Sequence, residues 1–413
     1  MQRVATLSTR SPRALDWLNF FVADVQTGFG PFVAVYLTMH KWTQVQIGFA
    51  LTLSTIVALI SQLPAGALVD AAHNKRLAAS GALIGVIIAA LLMAFQPTEL
   101  PVLVAQSVHA FSSCVLTPAI AAMSLHLVGH AALGERLGRN ARFASIGNGL
   151  AAGVMGGTGA YLSSQAVFLL TAALCVPALL TLLAIGRGPH ARRQTTIPLF
   201  DWPGLRRLFA DRQLLTFGVC VLLFHLSNAA MLPLLGATVT MRAGNYANLI
   251  IAACIMVPQI VVAICSPSVG RGAALLGRRP ILLIGWVSLP LRGLLLAVLP
   301  GPWLPIAAQA LSGISGAVFG VMLPLLSADI TRGTSHFNLC MGALGLAVSL
   351  GAGLSTTLGG WVADTASIRM AFVALAGVGA LATLVLWLTM PETTPDLPRK
   401  GRPVRPRPAA DSE

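Results

Sequence analysis

Asp24 is an acid placed where acids are costly. It lies about nine residues into an apolar run from Leu15 to Thr38, and a charged Asp at the centre of a membrane helix costs about 2.5–3.5 kcal/mol on insertion scales. A carboxyl so placed can take up a proton and release it when access or partners change, which is the chemistry of a proton carrier. A permanently hydrogen-bonded carboxyl, or one facing a water-filled vestibule, is the structural alternative. Other polar residues come in pairs three apart: Gln106 with His109, His225 with Asn228, and Gln309 with Ser312. Each pair shares a helix face, and His109 and His225 carry rings suited to proton exchange. Gln62, Asn148 and Gln259 are weaker members of the set. Interhelical hydrogen bonds, often worth about 0.6 kcal/mol in membranes, would account for the same residues structurally. The six cysteines sit singly in apolar runs without a C-x-x-C pair, so neither a metal site nor a disulfide framework is expected. No P-loop and no H-E-x-x-H occurs, which speaks against an ATP-driven pump and a metalloenzyme. An enzyme is not expected, and no cofactor is implied.

These residues need elements to hold them. Of 413 residues, 56% are hydrophobic and 10% charged, with mean hydropathy +0.79. A soluble domain carries roughly 25% charged residues, so this chain cannot coat a water-facing surface. Twelve runs are long enough to cross a hydrocarbon core of about 30 Å as helices. Their limits are 15–38, 44–69, 77–95, 101–126, 142–162, 165–186, 213–237, 247–269, 280–299, 303–327, 337–362 and 369–389. With the N-terminus inside, 23 of the 27 Lys and Arg fall on cytoplasmic segments and three (Lys41, Arg242, Arg369) opposite. That asymmetry places both termini in the cytoplasm of a multi-pass plasma-membrane protein, the bacterial inner membrane being the natural setting. The apparent pI of 10.9 is thus a topology signature that calls for no nucleic acid. Arg292 alone lies inside a span, and snorkelling to the outer interface is its expected fate. The basic stretch 187–212 divides an N-terminal bundle (1–186) from a C-terminal one (213–390). Trp202, Leu205, Leu208 and Phe209 form one face of a short interfacial helix within it. The Pro/Arg-rich tail 391–413 reads as disordered.

The halves look related. Asp24 and His225 are 201 apart, Gln62 and Gln259 are 197 apart, and Gln106 and Gln309 are 203 apart. Arg142-Phe143 and His336-Phe337 are 194 apart. Six spans per half insert both halves in the same orientation, a parallel repeat about the membrane normal.

After the second span the chain reads Gly66-Ala67-Leu68-Val69-Asp70-Ala71-Ala72-His73-Asn74-Lys75-Arg76. This resembles the G-x-L-a-D-r-x-G-r-[RK] signature of the major facilitator superfamily. His73 stands in the second glycine slot. A partner copy runs from Gly270 to Pro280, with Ala274 where the acid would be. The resemblance implies an all-α polytopic protein of twelve transmembrane helices in two pseudo-symmetric six-helix bundles, rocking about a central site lined by spans 1, 4, 7 and 10. It also implies that Asp70 holds the bundles together on the cytoplasmic side, with Arg76, Arg139 and Arg332 as neighbouring gate residues. Gly149, Gly153, Gly156, Gly157 and Gly159 partly resemble the glycine motif of proton-driven drug exporters. Close helix packing explains them equally.

The expected function is therefore secondary transport of a small organic solute by alternating access, with proton-coupled efflux favoured. Proton-coupled uptake of a sugar, organic acid or amino acid uses the same parts. A transport-inactive sensor or a lipid flippase are rival readings. The expected partners are a small-molecule substrate, protons and the bilayer, with the chain acting as a monomer.

Overall fold

The computed structural model describes residues 10–27, 29, 31–186, 202–243, 247–298 and 304–392. Linker residues 187–201 and tail residues 393–413 lie outside the described residues. Fourteen helices are seen among the described residues: α1 (Arg10–Thr27), α2 (Pro31–Met39), α3 (Gln44–Ala71), α4 (Lys75–Phe95), α5 (Glu99–Tyr161), α6 (Ser164–Ala184), α7 (Trp202–Phe209), α8 (Arg212–Asn228), α9 (Met231–Ala243), α10 (Ala247–Leu275), α11 (Arg278–Val298), α12 (Leu304–Ile330), α13 (Phe337–Thr365) and α14 (Ile368–Thr389). Ten stretches are long and apolar enough to cross a membrane, one of them covering Glu99–Gly159. That stretch makes two crossings, and α1 with α2 makes the first, giving twelve.

Three boundaries differ from the hydropathy reading. The first crossing begins at Arg10 and breaks between α1 and α2, where Pro31 opens a new helix as proline at a first helical position does. The seventh crossing breaks at Ala229 and Ala230, between α8 and α9. Between the fourth and fifth crossings the expected loop is helical: only Gly129 (φ 70°) leaves the helical region, and it turns the chain within α5. Hydropathy sees polar residues there and cannot see that they keep a helical backbone.

The repeat has a firm register in space. Gly333 (φ 84°), also in the left-handed region that glycine tolerates, stands 204 residues after Gly129. Ser163 caps α6 through Ala166 N, and Ser367, again 204 later, caps α14 through Met370 N. A Cβ on Gly66 would strike the Asn338 carbonyl, and a Cβ on Gly270 would strike that of Gly134. Likewise Gly342 sits against the Gln62 carbonyl and Gly138 against that of Ser266. Both partners of each crossing shift by 204. Gln62 therefore corresponds to Ser266, and the four pairings expected from like residues are corrected by this register: Asp24 falls on Asn228, Gln106 on Ala310 and Phe143 on Ala347. Backbone contact is conserved between the halves without conserving residue type.

Two seams join the halves: α3 against α13, and α5 against α10 and α12. Both are tightest on the face of the basic loops. Along α5 the spacing then widens. Gly134 and Gly138 touch α10 backbone, Gly149 lies 3.6 Å by its Cβ position from the Met256 methyl, and Gly153, Gly156 and Gly157 face open space. Small residues let the backbones meet at one end and leave the other free. The assembly is shut on the basic-loop face, and toward the opposite face a Cβ on Gly153, Gly156 or Gly157 of α5 would meet nothing within 4 Å.

At the shut face the C-terminal half is clipped to itself. Glu392 accepts hydrogen bonds from Arg278 N (2.8 Å) and Arg279 N (3.1 Å), capping the first turn of α11. A carboxylate on free N–H groups at a helix N-terminus gains charge–dipole energy. Glu392→Ala is expected to cost about 1 kcal/mol, seen as a small fall in thermal midpoint with the helical circular dichroism signal intact.

Candidate functional site

The N-terminus of α13 has no cap of its own, since His336 makes no side-chain cap bond. Asp70, at the end of α3 in the other half, fills that role. Its Oδ1 accepts from Asn338 N (3.1 Å) and Asn338 Nδ2 (2.7 Å), and its Oδ2 accepts from Leu339 N (2.8 Å). The carboxylate is 5% exposed. Charge-assisted bonds to a helix N-terminus suit an acid at this point. Lys75 fixes the preceding turn, donating to the carbonyls of Val69, Asp70 and Ala72.

The arginines expected near Asp70 are elsewhere. Arg139 forks onto both oxygens of Asp16, and Arg136 pairs with the same carboxylate. Arg76 ties its turn to the Ile185 carbonyl within its own half (2.5 Å), and Arg332 is exposed. Asp16, 2% exposed, is a second acid of the first crossing that hydropathy passes over because it lies near the run's polar end. A second buried ion pair, Arg278 with Asp329 (3.0 Å), lies within the C-terminal half.

Between the halves, above the shut seams, lies a cavity of about 340 Å³. Its polar wall comes from Asn19 on α1, Thr117, Asn140, Ser145 and Asn148 on α5, and Gln259 on α10. Val262, Gly316, Phe319, Gly320, Leu323 and Met341 supply the opposite, apolar wall from the C-terminal half. Asn140 is held by Arg136 Nε (2.8 Å) and itself donates to Ser124 Oγ (2.7 Å). Ser145 Oγ donates across the halves to the Gln259 carbonyl (2.9 Å) and lies 2.5 Å from Gln259 Oε1. Asn19 donates to the Leu15 carbonyl (2.7 Å). Phe319 stacks on Phe224 (4.9 Å between centroids) and meets His225 edge-on (4.7 Å).

Of the residues singled out in the sequence, Asn148 and Gln259 line this cavity and His225 backs its aromatic wall. Gln62 lies instead in the α3–α13 seam, its side chain against Gly345. Asp24 is 4% exposed and has no hydrogen-bond or ion-pair partner among the described residues, yet its oxygens are not among the sealed unpartnered atoms. Gln106 Nε2 and both polar atoms of Gln309 are sealed and unpartnered, as is His225 Nε2. His109 stacks flat on Phe29 (3.9 Å, 8°) with its Nε2 3.4 Å from Ser113 Oγ. Ser312 offers its carbonyl to Ser315 Oγ (3.0 Å). Arg292 does not snorkel: it is 2% exposed and donates to Asn228 Oδ1 (2.7 Å) at the break between α8 and α9. A guanidinium that finds a carbonyl oxygen inside the bundle need not reach for the interface. Asn19, Asn140 and Ser145 were missed because they lie within a few turns of basic loops, where polar residues read as interfacial.

The sequence matches the Major Facilitator Superfamily over residues 16–289 and again over 217–411. An MFS-type transporter from each of two strains of Mycobacterium tuberculosis is 36% identical over 413 residues, covering 97% of this chain and 98% of the relative. Among solved structures, the human organic anion transporter MFSD10 superposes with a TM-score of 0.74 at 16% identity, covering 91% of this chain and 99% of that one. The fucose:proton symporter FucP of E. coli gives 0.74 at 16% identity, covering 92% and 98%. The family match across nearly the whole length, the relatives' end-to-end identity and the doubled six-helix architecture agree, and the chain belongs to the Major Facilitator Superfamily.

Proposed function

We propose that this protein exports a small organic solute by alternating access, coupled to proton entry through Asp24. The observation that carries the reading is the wedge between the halves: backbone contact at Gly66, Gly134, Gly138 and Gly270, and open space at Gly153, Gly156 and Gly157. A two-body wedge closed at one end and open at the other is one of the two end states that alternating access needs. The rocking bodies are residues 1–186 and 213–390, with the basic-loop face and both termini in the cytoplasm of a bacterial inner membrane. Asp70 latches the shut face.

Asp24 supports proton coupling by its place. It sits one turn before the break in the first crossing, where a rearrangement of α1 against α2 changes its surroundings. The glycine run on the open side of α5 favours export. In proteoliposomes with an imposed pH gradient, solute movement should dissipate the gradient, and its direction should run against the proton flow. Movement with the proton flow would turn the reading to uptake, and no movement of any solute would favour a sensor.

A further inference from the structure

We infer that the cavity between the halves takes a small, uncharged, amphipathic solute, its hydrogen-bonding edge toward Asn19, Thr117 and Gln259 and its flat apolar face toward Phe319. The inference rests on the proposed transport reading for the site's use, and it stands on the lining for its chemistry.

The cavity's 340 Å³ lies at the lower end of the roughly 300–1,000 Å³ of small-molecule pockets, which suits a small solute. Amide and hydroxyl side chains form the polar wall, and among the described residues no Asp, Glu, Lys, Arg or His contributes to the lining. Behind Asn140, Arg136 and Arg139 share the one carboxylate of Asp16, and the positive charge left over lies with Arg139, whose side chain is half exposed and is not part of the lining. Asp24 lies five residues beyond Asn19, about 7.5 Å further along the helix axis, so the proton site and the solute site are separate. A charged solute would exchange water for a lining without a counter-ion, a cost that amides do not offset.

The remaining hydrogen-bond capacity is mixed and neutral. Asn19 uses its N–H on Leu15 and keeps Oδ1 as an acceptor, Gln259 keeps its amide donors, and Thr117 offers a hydroxyl. Opposite them, Gly316 and Gly320 are exposed on α12 and leave the face beside Phe319 flat. Phe319 is braced from behind by Phe224 and His225, so it presents a fixed ring for apolar or stacking contact. A ligand with one wet edge and one dry face meets both walls.

Gly320 gives a clean test, because a Cβ there meets nothing within 4 Å. Gly320→Leu carries three further carbons into the cavity from that unobstructed Cβ position and raises helix propensity, and Gly320→Ala fills little of it. Purified full-length protein would be heated with matched ring compounds offered uncharged, as a carboxylate and as a cation; nicotinamide, nicotinate and 1-methylnicotinamide form one such set among several scaffolds. The expected result is a rise in thermal midpoint of about 2 °C or more at a concentration well above Kd for uncharged members alone, kept in Gly320→Ala and lost in Gly320→Leu. Equal stabilisation by a charged member, survival of the effect in Gly320→Leu, or no stabilisation by any member overturns the inference. Vesicle flux separates this from the transport reading. Gradient-driven movement of charged solutes would leave transport standing and the inference fallen, and uncharged binding without any flux would do the reverse.

Discussion

Asp24→Asn is expected to abolish pH-gradient-driven solute movement while leaving a folded, inserted protein. The substitution keeps the side chain's size and removes the titrating group. Asp24 has no ion pair among the described residues to lose, so the change strands no buried partner, which is the usual source of large losses when an acid is removed. The thermal midpoint should therefore hold or rise. With one proton per cycle, a gradient of one pH unit is worth about 1.4 kcal/mol and sustains about a tenfold solute gradient. In Asp24→Asn that ratio should fall to one, while solute-for-solute exchange persists because the cavity walls are untouched. A tenfold gradient still maintained by the variant would remove Asp24 from the coupling role and leave the rest of the transport reading in place.

The contrast with Asp16 shows what sequence alone conveys. Both acids lie in the first crossing, and only depth along the apolar run separates them in the sequence. In space, Asp16 is claimed by Arg136 and Arg139 from a segment more than a hundred residues away, and Asp24 has no ion-pair partner among the described residues. Hydropathy found the twelve crossings because lipid imposes length and apolarity on each one separately. Asp70 was legible from its signature, and Asn148 and Gln259 from their polarity within apolar runs. The breaks after Thr27 and Asn228 and the turn at Gly129 were not, since they depend on backbone geometry that apolar composition leaves unspecified. The 204-residue register escaped the search for like residues, because what the halves share is a small residue meeting a carbonyl: Gly66 with Asn338, Gly270 with Gly134. Arg292 was misplaced for a related reason. Its partner, Asn228, belongs to another helix, and a lone arginine in an apolar run gives no hint of it.

That register also predicts what happens when the latch is cut. Ala274 stands 204 residues after Asp70, so the α5–α10 crossing has its glycine contacts with no carboxylate in the place that Asp70 takes in the other seam. Losing Asp70 should thus weaken the shut state without preventing it. Asp70→Ala removes three charge-assisted bonds and leaves Asn338 N and Leu339 N unpartnered in the closed seam. In an opened seam water would meet them. Bonds to a charged group are worth about 1.5–3 kcal/mol each before the cost of burying the carboxylate is subtracted. A net loss of about 2–3 kcal/mol for the shut state is expected, a shift in population of about 30- to 140-fold at 1.4 kcal/mol per factor of ten. Asp70→Asn should behave alike, since its NH2 group faces donors. Spin labels on the exposed residues His73 and Arg332, which flank the two sides of the α3–α13 seam, report the change directly. Their short-distance population should give way to a longer one in Asp70→Ala, with helical content unchanged. An unaltered distance distribution would mean that glycine contact alone holds this face shut and that Asp70 does no more than cap α13.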